Sequence, residues 1–161
     1  MKNTFLLSLR LIPALLSIVL LSSCREDFEP RLSSGNLEFS RDTVYLDTVF
    51  STIGSSTYSL KVFNRSNDLI SIPRVGLAQG ENSKYRLNVD GLAGKTFENV
   101  EIRAKDSIFI FIEATIDLDQ DKNALLYTDQ LQFESSGNTQ EVALVTLVQD
   151  AIFLFPSRNA S

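Results

Sequence analysis

From Leu37 onward the chain alternates apolar and polar residues with a period of two, and no stretch holds helical spacing over three turns. Leu37 and Phe39 open a short strand, and "DTVYLDTVF" (42–50) follows with Val44, Leu46 and Phe50 on one face. After the turn residues "STIGSS", Tyr58, Leu60 and Val62 alternate with Ser59, Lys61 and Phe63. "NRSND" (64–68) reads as a turn whose side chains bond their own backbone, and Leu69 to Leu77 resumes the pattern around Pro73, which predicts an edge or a bulge. The clearest run sets Tyr85, Leu87 and Val89 against Lys84, Arg86, Asn88 and Asp90, as in a half-buried antiparallel strand. "DSIFIFIEATID" (106–117) puts Ile108, Ile110, Ile112, Ala114 and Ile116 on one face and Phe109 and Phe111 on the other, which predicts a central or covered strand. Leu131 and Phe133 point inward from "TDQLQFES", and "TQEVALVTLVQDAIFLF" supplies the last long strand. Seven to nine strands over residues 36–155 predict an all-β fold, an antiparallel immunoglobulin-like sandwich, with a small barrel as the alternative.

The first 23 residues break this pattern. Lys2 and Arg10 precede an apolar run, Leu11 to Leu21, that is shorter than the about 20 residues a membrane span needs and is interrupted by Pro13 and Ser17. It reads as a signal peptide. Leu21, Ser22, Ser23 and Cys24 then resemble the lipobox of bacterial lipoproteins, which implies cleavage before Cys24 and attachment of diacylglycerol and an acyl chain to it. Each methylene buried in a bilayer contributes about 0.8 kcal/mol, and several chains together anchor stably where one does not. Arg25, Glu26 and Asp27 are similar to the export signal of Bacteroidota lipoproteins, which implies an outer-membrane position facing the cell exterior. Residues 24–35, with Pro30, Ser33, Ser34 and Gly35, read as a polar tether, and residues 156–161 as a polar tail.

Without residues 1–23 the chain has 138 residues, 13 basic and 20 acidic, one domain's length and an acidic balance that argues against nucleic acid as a partner. The chain has no His and one Cys, which removes Ser–His–Asp and Cys–His nucleophiles, His-based metal sites and an intramolecular disulfide. Asp117, Asp119 and Asp121 begin with the spacing of a calcium loop, but Lys122 stands where the turn requires Gly and Thr128 where the closing Glu belongs. A solvated acidic loop is the simpler reading, and no cofactor is expected. Tyr45, Tyr58, Tyr85 and Tyr127 offer faces for sugar stacking, although tyrosines on strands more often pack within the sheet. "NRS" at Asn64 matches a glycosylation acceptor. The strip Ile152, Phe153, Leu154 and Phe155 either finishes the last strand or docks against something that follows.

"IGSSTYSLKVFNRSNDLISI", the turn-rich "GLAGKTFENVEIRAKDSIFIFIEATI" and "YTDQLQFESSGNTQEVALV" resemble immunoglobulin-like domains of the ASPM, SPD-2 and Hydin type, over roughly residues 37–148. The charged "EIRAKDS" departs from their usual Pro- and Gly-containing turn. The resemblance implies a non-catalytic spacer or interaction module. In larger surface lipoproteins of Bacteroidota a similar domain precedes a β-solenoid. The expectation is therefore a membrane-anchored module with an unidentified protein or glycan ligand. The alternatives are the first part of a longer solenoid lipoprotein, or a carbohydrate-binding or carbohydrate-active protein.

Overall fold

The computed structural model describes residues 29–50, 53–117 and 125–149, and in them the chain is an all-β sandwich. Its strands are β1 (Arg31–Leu32), β2 (Glu38–Phe39), β3 (Thr43–Phe50), β4 (Tyr58–Phe63), β5 (Ile70–Leu77), β6 (Tyr85–Val89), β7 (Leu92–Gly94), β8 (Thr96–Ile102), β9 (Ser107–Ala114), β10 (Leu126–Ser135) and β11 (Asn138–Gln149). One sheet runs β1/β10 beside β5, then β11 and β3, with β8 on the far side of β5; the other runs β2-β4-β9-β6-β7. The orders β2-β4-β9-β6 and β5-β10-β11 are those of the two immunoglobulin sheets. The pairing is mixed rather than purely antiparallel, because β3 lies parallel to β11 and β1 parallel to β5.

Alternation drives the two inner faces together. Leu60, Val62, Tyr85, Leu87, Ile110 and Ile112 from one sheet meet Val44, Val75, Leu77, Leu131, Phe133 and Leu144 from the other in a single buried cluster. Each such large side chain contributes about 1.5–3 kcal/mol over its exposed state.

Four sequence expectations change. The sandwich starts earlier than residue 36: Arg31 and Leu32, read as tether, already pair with Ile70 and Ser71, and Ser33 is buried. Gly35, at φ 80°, lets the chain turn from β1 to β2 against the side chain of Ser135, where a Cβ would collide. In β3 it is Val49, not Phe50, that joins Val44 and Leu46 inside. The pairing jumps from Thr146↔Leu46 to Val148↔Val49, so a bulge at Asp47 and Thr48 reverses the parity.

Pro73 is not on an edge, since β5 has neighbours on both sides. It sits where the ladders pause: β1 ends at Ser71, β10 begins at Arg74, and the opposite residue is Asn99 at φ 53°. Ile72 and Val75 are both inside, so the alternation skips one residue there. The turn-rich stretch around Gly91 is in fact strands β7 and β8. Asp90 at φ 49° and Gly91 at φ 85° form the tight turn that an Asp-Gly pair favours, closed by Val89 opposite Leu92. At Lys95 the chain then leaves one sheet for the other.

The strand directions fix two ends. Arg31 enters at the end that carries the β4–β5 and β8–β9 turns, and β11 finishes at Gln149 at the opposite end.

Candidate functional site

The outer face of the β2-β4-β9-β6-β7 sheet places aromatic rings and charged side chains together by register. On β9, alternation that buries Ile110 and Ile112 must turn Phe109 and Phe111 outward. They remain 48% and 43% exposed although β9 is the central strand, and the two rings lie nearly parallel with centroids 6.2 Å apart. The run that was apolar on both faces is thus central, as expected, but its second face is not covered.

Cross-strand pairing sets the neighbours. Lys61 stands opposite Phe109, Ser59 and Asn88 flank Phe111, and Arg86 stands opposite Glu113. The Lys61 ammonium lies 5.1 Å from the Phe63 ring centroid and 5.2 Å from that of Phe109, and the Arg65 guanidinium lies 4.4 Å from Phe63. Arg65 also donates two hydrogen bonds to Glu38, at 2.9 and 2.8 Å, which holds the Glu38 carboxyl below its ordinary range and raises the Arg65 guanidinium above its own. The Glu113 carboxylate is likewise lowered, first by the hydroxyl of Thr57 and then by Arg86. Arg86 donates to Thr115 as well, at 2.8 Å.

Beside Phe111 the face dips into a groove of about 490 Å³ lined by Arg86, Asn88, Ala93, Lys95 and Glu113, among others. It continues into a second hollow of about 390 Å³, which shares Glu81, Arg86 and Lys95 and ends at Lys84 and Thr115. Lys95 is held there by the carbonyls of Glu81 and Ser83. The groove lining thus carries two cations, Arg86 and Lys95, and two carboxylates, Glu81 and Glu113. Asn88 accepts from the Gly91 N–H at 3.0 Å, and its amide nitrogen and the Ser59 hydroxyl have no partner among the described residues.

The other sequence candidates fall elsewhere. Leu21, Ser22, Ser23, Cys24, Arg25, Glu26 and Asp27 lie outside the described residues, as do Asp119, Asp121 and Ile152 to Phe155; Asp117 is described and exposed. Among the described residues no group of three or more His, Cys, Asp or Glu side chains is arranged to hold a metal. No helix among them is long and apolar enough to cross a membrane. Asn64 is 3% exposed, and its amide donates to the carbonyls of Asp68, Ile102 and Arg103 at 2.8–3.0 Å, so it is a structural tie rather than a glycan acceptor.

Three of the four tyrosines serve packing. Tyr85 is fully buried, its hydroxyl donating to the Tyr127 carbonyl and sharing a 2.9 Å hydrogen bond with Thr146; burial pushes it up to about 12. The Tyr127 ring packs against Tyr85, and the Tyr58 hydroxyl accepts from the Asp47 N–H at the bulge. Tyr45 alone is open to solvent, on the other sheet. Nearby, the buried Asp129 accepts from the N–H groups of Gln79 and Gln130 through one oxygen, while the other has no partner among the described residues.

Phe109, Phe111, Lys61, Arg86 and Glu113 were not readable as a site from sequence, though Phe109 and Phe111 were placed on their own face. The signal available was two phenylalanines on the solvent side of a run that also carried five core positions.

No family model matches the chain, and no curated protein does. Among solved structures it is similar to a protein of unknown function from Porphyromonas gingivalis W83, at 8% identity and TM-score 0.44, over 69% of this chain and 46% of that one. It is similar at the same TM-score, and 10% identity, to a family 123 glycoside hydrolase from Clostridium perfringens, over 69% of this chain and 23% of that one. The chain spans less than half the length of either, and likeness at this level assigns no function to it.

Proposed function

We propose that the chain is a non-catalytic, immunoglobulin-like module of a bacterial outer-membrane lipoprotein, anchored through acyl chains on Cys24 and facing the cell exterior, that spaces and presents a binding surface. The observation that carries this reading is the opposite placement of the points where the chain enters and leaves the sandwich. The sandwich is entered at Arg31, seven residues after the lipobox cysteine, and β11 delivers the chain at the far end. Twelve strand residues set the two ends roughly 35–40 Å apart. The seven residues before Arg31 reach at most about 25 Å when extended, so the near end is held close to whatever the anchor enters. Resemblance to ASPM-, SPD-2- and Hydin-type domains accords with the spacer role, and the paired state of Arg86 and Glu113 accords with binding rather than acid–base chemistry.

Replacing Cys24 by Ala in the full chain should move the protein from membrane to soluble fractions and remove its exposure to added protease on intact cells. Retention of the variant in the membrane would overturn the anchor.

A second reading, the membrane-proximal part of a longer solenoid lipoprotein, is favoured by one feature of the far end. Leu125, Leu126 and Leu147 are all at least half-exposed there, and Leu126 and Leu147 are cross-strand partners. The intact mass of the native protein distinguishes the two: a mass near the 18.0 kDa precursor less its signal peptide, plus lipid, supports a single module, and a much larger one supports the longer protein.

A further inference from the structure

We infer that the outer face of the β2-β4-β9-β6-β7 sheet, centred on Phe111, is a binding platform for an uncharged glycan; this rests on the reading of the chain as a binding module and names its ligand class. Three observations converge. Phe109 and Phe111 leave nearly half of each side chain in solvent on a central strand, where a polar residue would fold as well. An aromatic ring flanked by unspent hydroxyl and amide groups, here Ser59 and Asn88, matches the C–H face and the hydroxyl rim of a pyranose. The adjoining groove, about 490 Å³, is of the size that takes a small ligand.

Charge selects among the occupants. Arg86 is paired with Glu113, and Lys95, tied to two backbone carbonyls, shares the lining with Glu81, so the groove carries equal numbers of cations and carboxylates and no net charge. An acidic polymer would find Arg86 already paired and Glu81 and Glu113 beside it in the groove. A neutral sugar meets donors and acceptors held in place, with Lys61 at the Phe109 end as one further donor.

The test uses the full chain with Cys24→Ala and a panel of neutral hexasaccharides (cello-, xylo-, manno- and malto-) beside polygalacturonate and anionic lipid vesicles, read by titration calorimetry and by retardation in polysaccharide-loaded gels. One neutral glycan should bind in the micromolar to millimolar range. Phe111→Ala should weaken it at least tenfold and Asn88→Ala several-fold, with unchanged urea midpoints, while Tyr45→Ala, on the other sheet, should have no effect. Binding to none of the neutral glycans, binding indifferent to Phe111→Ala, preference for polygalacturonate or vesicles, or self-association abolished by Phe111→Ala would each overturn the proposal. None of these would disturb the fractionation of the Cys24→Ala variant, so failure here and failure of the anchored-module reading are told apart.

Discussion

The two ends of the sandwich are finished in opposite ways. At the end where Arg31 enters, polar groups are tied to one another: Asn64 bonds three carbonyls and is itself bonded by Ser66, Lys105 caps the carbonyl of Arg65, Arg65 holds Glu38, and Arg31 lies 3.0 Å from Asp68. At the end where β11 finishes, Ile53, Leu125, Leu126 and Leu147 stand in solvent. Both ends close the same core, so the fold alone requires neither finish. The near end, where Leu32 is the large apolar side chain left in solvent amid tied polar groups, gains less from a partner. An apolar rim gains about 25 cal/mol for each Å² that a partner covers. The difference gives the sandwich a direction, with fewer exposed apolar side chains at the end where Arg31 enters than at the end where β11 finishes.

The sharpest way to break that comparison is to unpick the polar end. Asn64→Ala leaves the buried carbonyl of Ile102 and the partly buried one of Arg103 without their donor and frees the turn, so it should cost about 2–4 kcal/mol in urea unfolding. A loss below 1 kcal/mol would mean that the network is decoration on a turn held by other contacts.

Next in size is Tyr85, which closes the core toward the far end. Its hydroxyl is pushed up to about 12 by burial, above the unfolded value of about 10, so the folded state holds the proton more tightly. The stability this gives is fully present below pH 10 and is lost as pH rises to about 12, on the order of 2 kcal/mol. Unfolding followed at pH 8 and pH 11 should show the fall, and Tyr85→Phe should flatten it while costing about 1–2 kcal/mol at pH 8 through the stranded Thr146 hydroxyl and Tyr127 carbonyl. An equal fall in the variant would assign the alkaline loss to other groups.

Legibility in the sequence followed how local the cause was. The β6 alternation, Tyr85-Leu87-Val89 against Arg86 and Asn88, transferred unchanged because one face meets the core and the other meets water. Phe50 and Pro73 did not, because a bulge and a ladder pause each shift parity by one residue, and that shift is set by the partner strands rather than by the local sequence. The β7–β8 strands were missed although "DG" between Val89 and Leu92 is a strong local hairpin signal, since "GLAGKTFENVEIRAK" carries too many small and charged residues to look like sheet. The site was half legible: β9 gave the two outward phenylalanines, but their pairing with Lys61, Ser59, Asn88 and Arg86 depends on strands 20 to 50 residues away.

A smaller effect belongs to Glu113. Its folded carboxyl is lowered by Thr57 and Arg86, so the stability it lends is present above the unfolded value and is lost as pH falls through the folded one. Thr57→Val should raise that lower limit, read from the Glu113 carboxyl titration by NMR, with little change in the urea midpoint at pH 7 because the pair is largely in solvent. No movement of the Glu113 titration would detach Thr57 from the face.

The smallest expected change in stability is the most telling for direction. Leu126→Gln with Leu147→Gln should alter unfolding by no more than about 0.5 kcal/mol, since both side chains are half in solvent and neither fills the core. The same pair of changes should weaken any association made through the far end, seen by sedimentation of the full chain. At the near end, Arg31→Gln with Asp68→Asn is equally mild for stability, because the exposed ion pair contributes about 0–1 kcal/mol. It should leave association untouched. Equal effects of the two double variants on association would erase the polarity of the module; an effect confined to the leucines would fix the far end as the one that makes contact.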